Sequence, residues 1–332
     1  MKKRLIAIAV AAAITPAIAA AGSANISGFV DIYTTLATDD GKEKYFLADG
    51  EVDVRNALTD SVTVGMDLDI SLVSSGTAVA GKADSGQIEQ AFFAWKAADM
   101  LTVLGGVMNN PLGWEAEDAP DMPTTTHGQL HGVFDAQTAQ DGNNTTGLAA
   151  AIKAGDMATV TLGVFNDNTL ITKPATATTY GIVTEYENSL LAMVNVTPMA
   201  GLAIEAGLLT AEPGTTVDTV AGDIMDLNVE FTGVPDLKVA FEYLTADEYY
   251  DSAYQILVGY NILPNFGVIA RMDNVSMDDA ANTETSTTTL YASYGIADNL
   301  SVALEFWSTE TEDNTGTTYE NDAVNLEFIA KF

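Results

Sequence analysis

The stretch VTVGMDLDIS (Val62–Ser71) decides the fold. Val62, Val64, Met66, Leu68 and Ile70 are apolar, while Thr63, Gly65, Asp67, Asp69 and Ser71 between them are polar or small. A period of two is that of a strand with one apolar and one wet face. The pattern recurs outward along the chain. Met225, Leu227, Val229 and Phe231 interleave with Asp226, Asn228, Glu230 and Thr232, and Leu300, Val302, Leu304 and Phe306 with Ser301, Ala303 and Glu305. At the tail, Val324, Leu326, Phe328 and Ala330 alternate with Asn325, Glu327 and Lys331. No sustained helical period is visible in the body of the chain, which reads as all-β.

The connections alternate in length. Tight turns are expected at Leu58–Ser61, Ala97–Met100, Ala154–Met157, Pro198–Gly201, Gly233–Asp236, Leu263–Asn265 and Ala297–Asn299, where Pro, Gly, Asp and Asn supply the backbone geometry. Longer polar stretches lie between them: Ala37–Gly50, Val73–Gly86, Asp167–Thr178, Ala211–Gly222 and Ser276–Ser286. Short turns at one end and long acidic loops at the other describe a transmembrane antiparallel barrel of the outer membrane.

A soluble sandwich also alternates, but with its apolar face buried. Strands of ~9–11 residues suit a tilted membrane crossing. Aromatic residues near strand ends suit interfacial girdles: Phe29 and Tyr33, Phe92, Phe93 and Trp95, Tyr291 and Tyr294, Phe306 and Trp307, Phe328 and Phe332. Seven turns with both termini on one side predict about sixteen strands (14–18), from Asn25–Thr35 to Asn321–Phe332. Asn109–Thr146 is then one long excursion after strand 5. A strand at Gln129–Phe134 would raise the count toward eighteen.

The N-terminus reads as an address. Lys2, Lys3 and Arg4 precede the apolar run Leu5–Ile14, then Pro16 and small residues with A-x-A sites. Residues 1–21 are predicted to be a secretory signal peptide, cleaved between 19 and 24, and 22–332 a single barrel. Its removal takes the charge from −33 to ten basic against 46 acidic residues, or −36. That balance disfavours nucleic acid as a partner. Absent cysteine excludes disulfides and thiolate metal sites.

These features resemble a Gram-negative outer-membrane porin of the general type, and more narrowly the OmpL-like β-barrel porins. The resemblance rests on terminal Phe332 after Phe328, on NISGFVDIY (Asn25–Tyr33) as a first strand, and on GGVMNNPLGWE (Gly105–Glu115) as a strand-to-loop passage. It implies passive diffusion of small hydrophilic solutes, commonly through a homotrimer, and no cofactor. It implies a third external loop folded into the lumen, where Asn109–Thr146 falls. The expected partners are outer-membrane lipid, lipopolysaccharide and the barrel-assembly machinery, which would read Phe328 and Phe332.

General porins face the inner loop with a basic cluster, whereas here only Arg55 and Arg271 follow the leader as arginines, both on inward parity. Inward acids include Asp31, Asp67, Asp69, Glu205, Asp226, Glu230, Glu242, Glu305 and Glu327. No Lys or Arg lies between Lys96 and Lys153, a span holding Glu115, Glu117, Asp118, Asp121, Asp135 and Asp141. Carboxylate rings favour cations. The expected constriction is Glu115, Glu117, Asp118 and Asp121, with Arg55, Arg271, Asp67, Asp69 and Glu230 on the wall. The bland readings of the same acids are a solvated outer loop or a saline habitat.

His127 and His131 are the only histidines. Their spacing of four suits a metal only on a helix, which Gly128 and Gly132 argue against, and HExxH is absent. No metal site and no catalytic residue is therefore expected. A non-conducting adhesin, receptor or scaffold around a partner protein is the alternative function.

Overall fold

A computed structural model describes residues 24–38, 46–70, 72–73, 87–137, 143–166, 188–210, 222–247, 250–278 and 282–332. The leader 1–21 and most of the loops expected at 73–86, 167–178 and 211–222 lie outside these.

The strands follow the alternation. In chain order they are β1 (Asn25–Thr38), β2 (Phe46–Thr59), β3 (Val62–Asp69), β4 (Gln87–Ala98), β5 (Leu101–Asn109), β6 (Asn144–Ala154), β7 (Ala158–Asn166) and β8 (Asn188–Met199). Then come β9 (Leu202–Leu209), β10 (Ile224–Phe231), β11 (Leu237–Ala246), β12 (Tyr250–Leu263), β13 (Phe266–Met277), β14 (Glu284–Ala297), β15 (Leu300–Glu312) and β16 (Thr318–Lys331). Leu72–Val73 prolongs β3, because it pairs with Leu47–Ala48 of β2 while Ile70 still donates to Gly50. Every strand is antiparallel to its neighbours, and β1 closes on β16 from Phe29↔Lys331 to Thr38↔Ala323. Among the described residues this is a closed sixteen-stranded barrel.

Burial separates the barrel from the sandwich. The buried strand positions include Asp31, Asp67, Glu242, Arg271, Glu305 and Glu327. The exposed ones include Ile26, Val30, Met225, Leu227, Ile256, Leu290 and Leu304. A protein that wets Leu and Ile while covering Asp and Arg is turned inside out relative to a soluble domain, as hydrocarbon outside and a polar lumen demand. The barrel spans a membrane.

All seven predicted turns connect strands. Three other expectations need correction. Phe46 to Gly50 belong to β2 rather than a loop. Gln129–Phe134 is not a strand but the start of the helix α1 (Gln129–Gln137), so the count stays at sixteen. Finally, strand residues an odd number apart point to opposite faces, so the expected girdle aromatics divide between lipid and lumen. Phe93, Trp95, Tyr294, Phe306, Phe328 and Phe332 are exposed, whereas Phe29, Tyr33, Phe92, Tyr291 and Trp307 fall on inward positions and are only half-buried.

Between β5 and β6 the chain turns into the barrel, its neck fastened by the Asn110 amide donating to Asn143 O at 2.8 Å. Leu112, Leu130, Val133 and Phe134 of this inner loop are buried in one cluster with the wall residues Phe165, Leu191, Met193, Leu209, Ile224, Leu244 and Val275. These are inward positions near the long-loop ends of their strands, where Leu or Ile replaces the acids found deeper. Gly113 sits at φ 97°, and its missing Cβ leaves room for the Phe134 ring. Each buried Leu or Phe contributes about 1.5–3 kcal/mol. Phe134→Ala should cost ~3–5 kcal/mol of packing and make the inner loop cleavable by protease while the barrel stays folded. An uncut loop in that variant would show that polar contacts alone hold it.

Candidate functional site

Arg271, on β13, is wholly buried and spends all five of its N–H donors. Nε donates to Asp273 (3.2 Å), one terminal nitrogen to Thr124 Oγ1 (2.7 Å) and Thr126 O (2.9 Å), and the other to His127 O (3.1 Å) and Thr289 Oγ1 (3.3 Å). Three of these acceptors belong to the inner loop. Glu115 lies 3.7 Å away as counter-charge. Its carboxylate also accepts from the Gly128 amide (2.9 Å) and contacts His127 Nδ1 (3.0 Å). Burial pushes the Glu115 carboxyl up, but the bond to His127 and the charge of Arg271 outweigh it, and its pKa is lowered to about 2. The pair is a clamp, a correction to both expectations: Glu115 does not line the constriction, nor Arg271 the open wall.

Further bonds carry the loop around the wall. The Trp114 amide donates to Glu242 (2.7 Å) and its indole to Glu230 (3.0 Å), with the Lys238 ammonium 4.7 Å from the ring centre. Glu230 is thus covered rather than facing open lumen. Thr125 donates to Glu327, the Thr126 amide to Glu305, and the Gln129 amide to Asp273. Lys331 reaches Pro120 O at 3.0 Å. The inward acids of β10, β11, β13, β15 and β16 therefore hold the loop.

Among the described residues the opposite side of the barrel is open. There a cavity of about 410 Å³ separates the loop's 116–121 turn from β1–β5. At ~30 Å³ per molecule it holds about a dozen waters. Glu117, Asp118 and Asp121 face it from the loop, and Glu51, Asp53, Arg55 and Asp67 from the wall. Arg55 pairs in fork fashion with Asp67, contacts Asp53 at 3.6 Å and lies over the Phe92 ring. Six carboxylates there meet two cations, Arg55 and Lys331.

Three of the four expected constriction acids and both Arg55 and Asp67 thus come together. Asp69 sits opposite Glu51 on β3 but does not line the cavity. Phe328 points outward, and Phe332 pairs through its backbone with Gly28 at the barrel seam. Glu51 and Asp53 were missed although the expected loop ended at Gly50 and left both on the strand, at the inward parity of Arg55. The alternating Glu51-Val52-Asp53-Val54-Arg55 would have found them. Trp114 and Thr124–Thr126 carry no sequence signal of their own.

No protein-family model and no curated protein matches this sequence. Solved structures do. The outer membrane channel DcaP of Acinetobacter baumannii superposes with a TM-score of 0.64 at 14% identity, over 93% of this chain and 97% of that one. OmpT, outer-membrane expressed in Vibrio cholerae, gives 0.62 at 13%, over 95% and 99%. A mutant of the Rh. blastica porin gives 0.57 at 14%, over 93% and 100%. The chain has the porin fold. Within that fold the inner loop divides the lumen into a filled side, clamped by Arg271, and an open acidic side.

Proposed function

We propose that this chain is a Gram-negative outer-membrane porin, passing small hydrophilic solutes by passive diffusion and preferring cations. The observation that carries the reading is the cavity of about 410 Å³ beside the inner loop, where six carboxylates outnumber two basic groups. At a Debye length of ~8 Å in physiological salt, a passing ion stays within reach of those charges. The filled side leaves no room for a partner protein threaded through the barrel, which disfavours a scaffold.

Export by residues 1–21 fits a protein destined for the outer membrane. Recognition of Phe328 and Phe332 by the assembly machinery and contact with lipopolysaccharide are parts of the same proposal. So is a homotrimer, in keeping with the trimer form described for OmpT of Vibrio cholerae. The test is single-channel recording of the folded protein in a planar bilayer under a salt gradient. Stepwise current reversing on the cation side is expected. A folded barrel without current would sink the porin reading, and current without cation preference would remove only the selectivity.

A further inference from the structure

The two histidines meet although Gly128 lies between them and the helix begins only at Gln129. Gly128 makes the approach possible: a Cβ there would stand 2.9 Å from Gln255 Oε1 and 3.0 Å from Glu115 Oε2. The His131 amide donates back to Gly128 O at 3.2 Å, turning the chain so that the imidazoles stack, centres 3.7 Å apart and 14° from parallel. Glu117 comes from the other arm of the loop and reaches His131 Nε2 at 2.7 Å. One ligand atom from each of Glu117, His127 and His131 lies within 4.8 Å of the other two.

We propose that Glu117, His127 and His131 form a site for a divalent transition-metal ion of the zinc class on the inner loop. Two imidazoles and a carboxylate are a donor set for such an ion, with water completing a tetrahedron. Ligands around zinc lie about 3.3 Å apart at Zn–N distances near 2.0–2.1 Å. The Glu117–His131 pair is already inside that spacing. His127 and Glu117 are 32% and 20% exposed in their side chains, so both have room to close in and the lumen can deliver the ion. Ligation takes the neutral imidazole, and because a bound ion lies in the plane of each ring, closing in means that His127 swings out of the face-to-face stack.

The surroundings complete the pattern. A metal-binding histidine commonly gives its second nitrogen to a carboxylate, which fixes the ring and raises its basicity. Glu115 does this for His127 through Nδ1, leaving Nε2 for the ion. Arg271 in turn fixes Glu115. The ion would tie the 115–118 arm of the loop to the start of α1, at the edge of the open cavity.

The test is calorimetric titration of the folded, detergent-solubilised protein with Zn²⁺ in excess Mg²⁺, which occupies plain carboxylate clusters. Cobalt(II) is added separately as a spectroscopic probe. One zinc per chain is expected, with Co²⁺ giving the intense visible bands of a tetrahedral nitrogen-bearing site. His127→Gln and His131→Gln should abolish both signals, and Glu115→Gln should weaken zinc about 10–100-fold. Folding of each variant is checked by its heat-modifiable gel mobility. His131 is buried and its substitution removes packing as well as a ligand, so solvent-facing His127→Gln is the deciding variant. Zinc bound equally well by folded His127→Gln, or no stoichiometric zinc in the wild type, would overturn the site.

Discussion

Arg271→Met frees the inner loop and raises single-channel conductance severalfold, with added current noise. Methionine fills much the same volume but makes none of the five donations that Arg271 gives to Thr124, Thr126, His127, Asp273 and Thr289. It also leaves Glu115 and Asp273 buried without their cation, a change that typically costs about 3–5 kcal/mol. The sixteen strands depend on their own ladders, so this energy falls on the loop. The segment 124–128 then lifts off β13–β15, and the filled half of the lumen admits water. Lysine should rescue little, because a point charge cannot replace a planar fork aimed at three loop acceptors. Glu115→Gln should act in the same direction but less, since an amide still meets the Gly128 amide and Arg271 keeps Asp273. The checks are conductance and protease sensitivity of the 110–137 segment in protein with normal heat-modifiable mobility. Wild-type values in both would show that the apolar cluster around Phe134 holds the loop alone.

The barrel was legible in the sequence because its physics is local. A period of two needs only neighbours along one strand, and the seven tight turns announce themselves through Pro, Gly, Asp and Asn. The inner loop is another matter. Glu115 and Glu117 are two residues apart in the same acidic run, yet one is sealed against Arg271 and the other faces the cavity. Nothing in the run separates them. The difference is made by a residue more than 150 positions away, on a strand whose inward parity was readable but whose partner was not. Helix α1 was missed for a related reason. Gly128 lies just before it and serves close packing against Gln255 and Glu115, while Gly132 faces open space. Helix propensity counted both as breakers, and tertiary packing overrode it.

Glu117→Gln, Asp118→Asn and Asp121→Asn together should lower the cation-to-anion permeability ratio by roughly three- to tenfold. The estimate follows from a unit charge about 4 Å from an ion in water being worth about 1 kcal/mol, reduced by salt. These three acids supply half of the carboxylates around the cavity. Removing them leaves Glu51, Asp53 and Asp67, with Glu89 beside Glu51, against Arg55 and Lys331, a much smaller acidic excess. Two controls give the result its meaning. Glu230→Gln should leave the ratio near the wild-type value, because Glu230 sits under Trp114 and Lys238 on the filled side. Raising the salt to 1 M should erase most of the wild-type preference, since the Debye length then falls to ~3 Å. A ratio unmoved by the triple substitution would mean that ions pass elsewhere, and the acidity would then be left to solubility or a saline habitat. A ratio that falls equally with Glu230→Gln would mean that selectivity comes from the charge of the whole lumen. Only a loss confined to the 117–121 turn places the filter where the loop narrows the barrel.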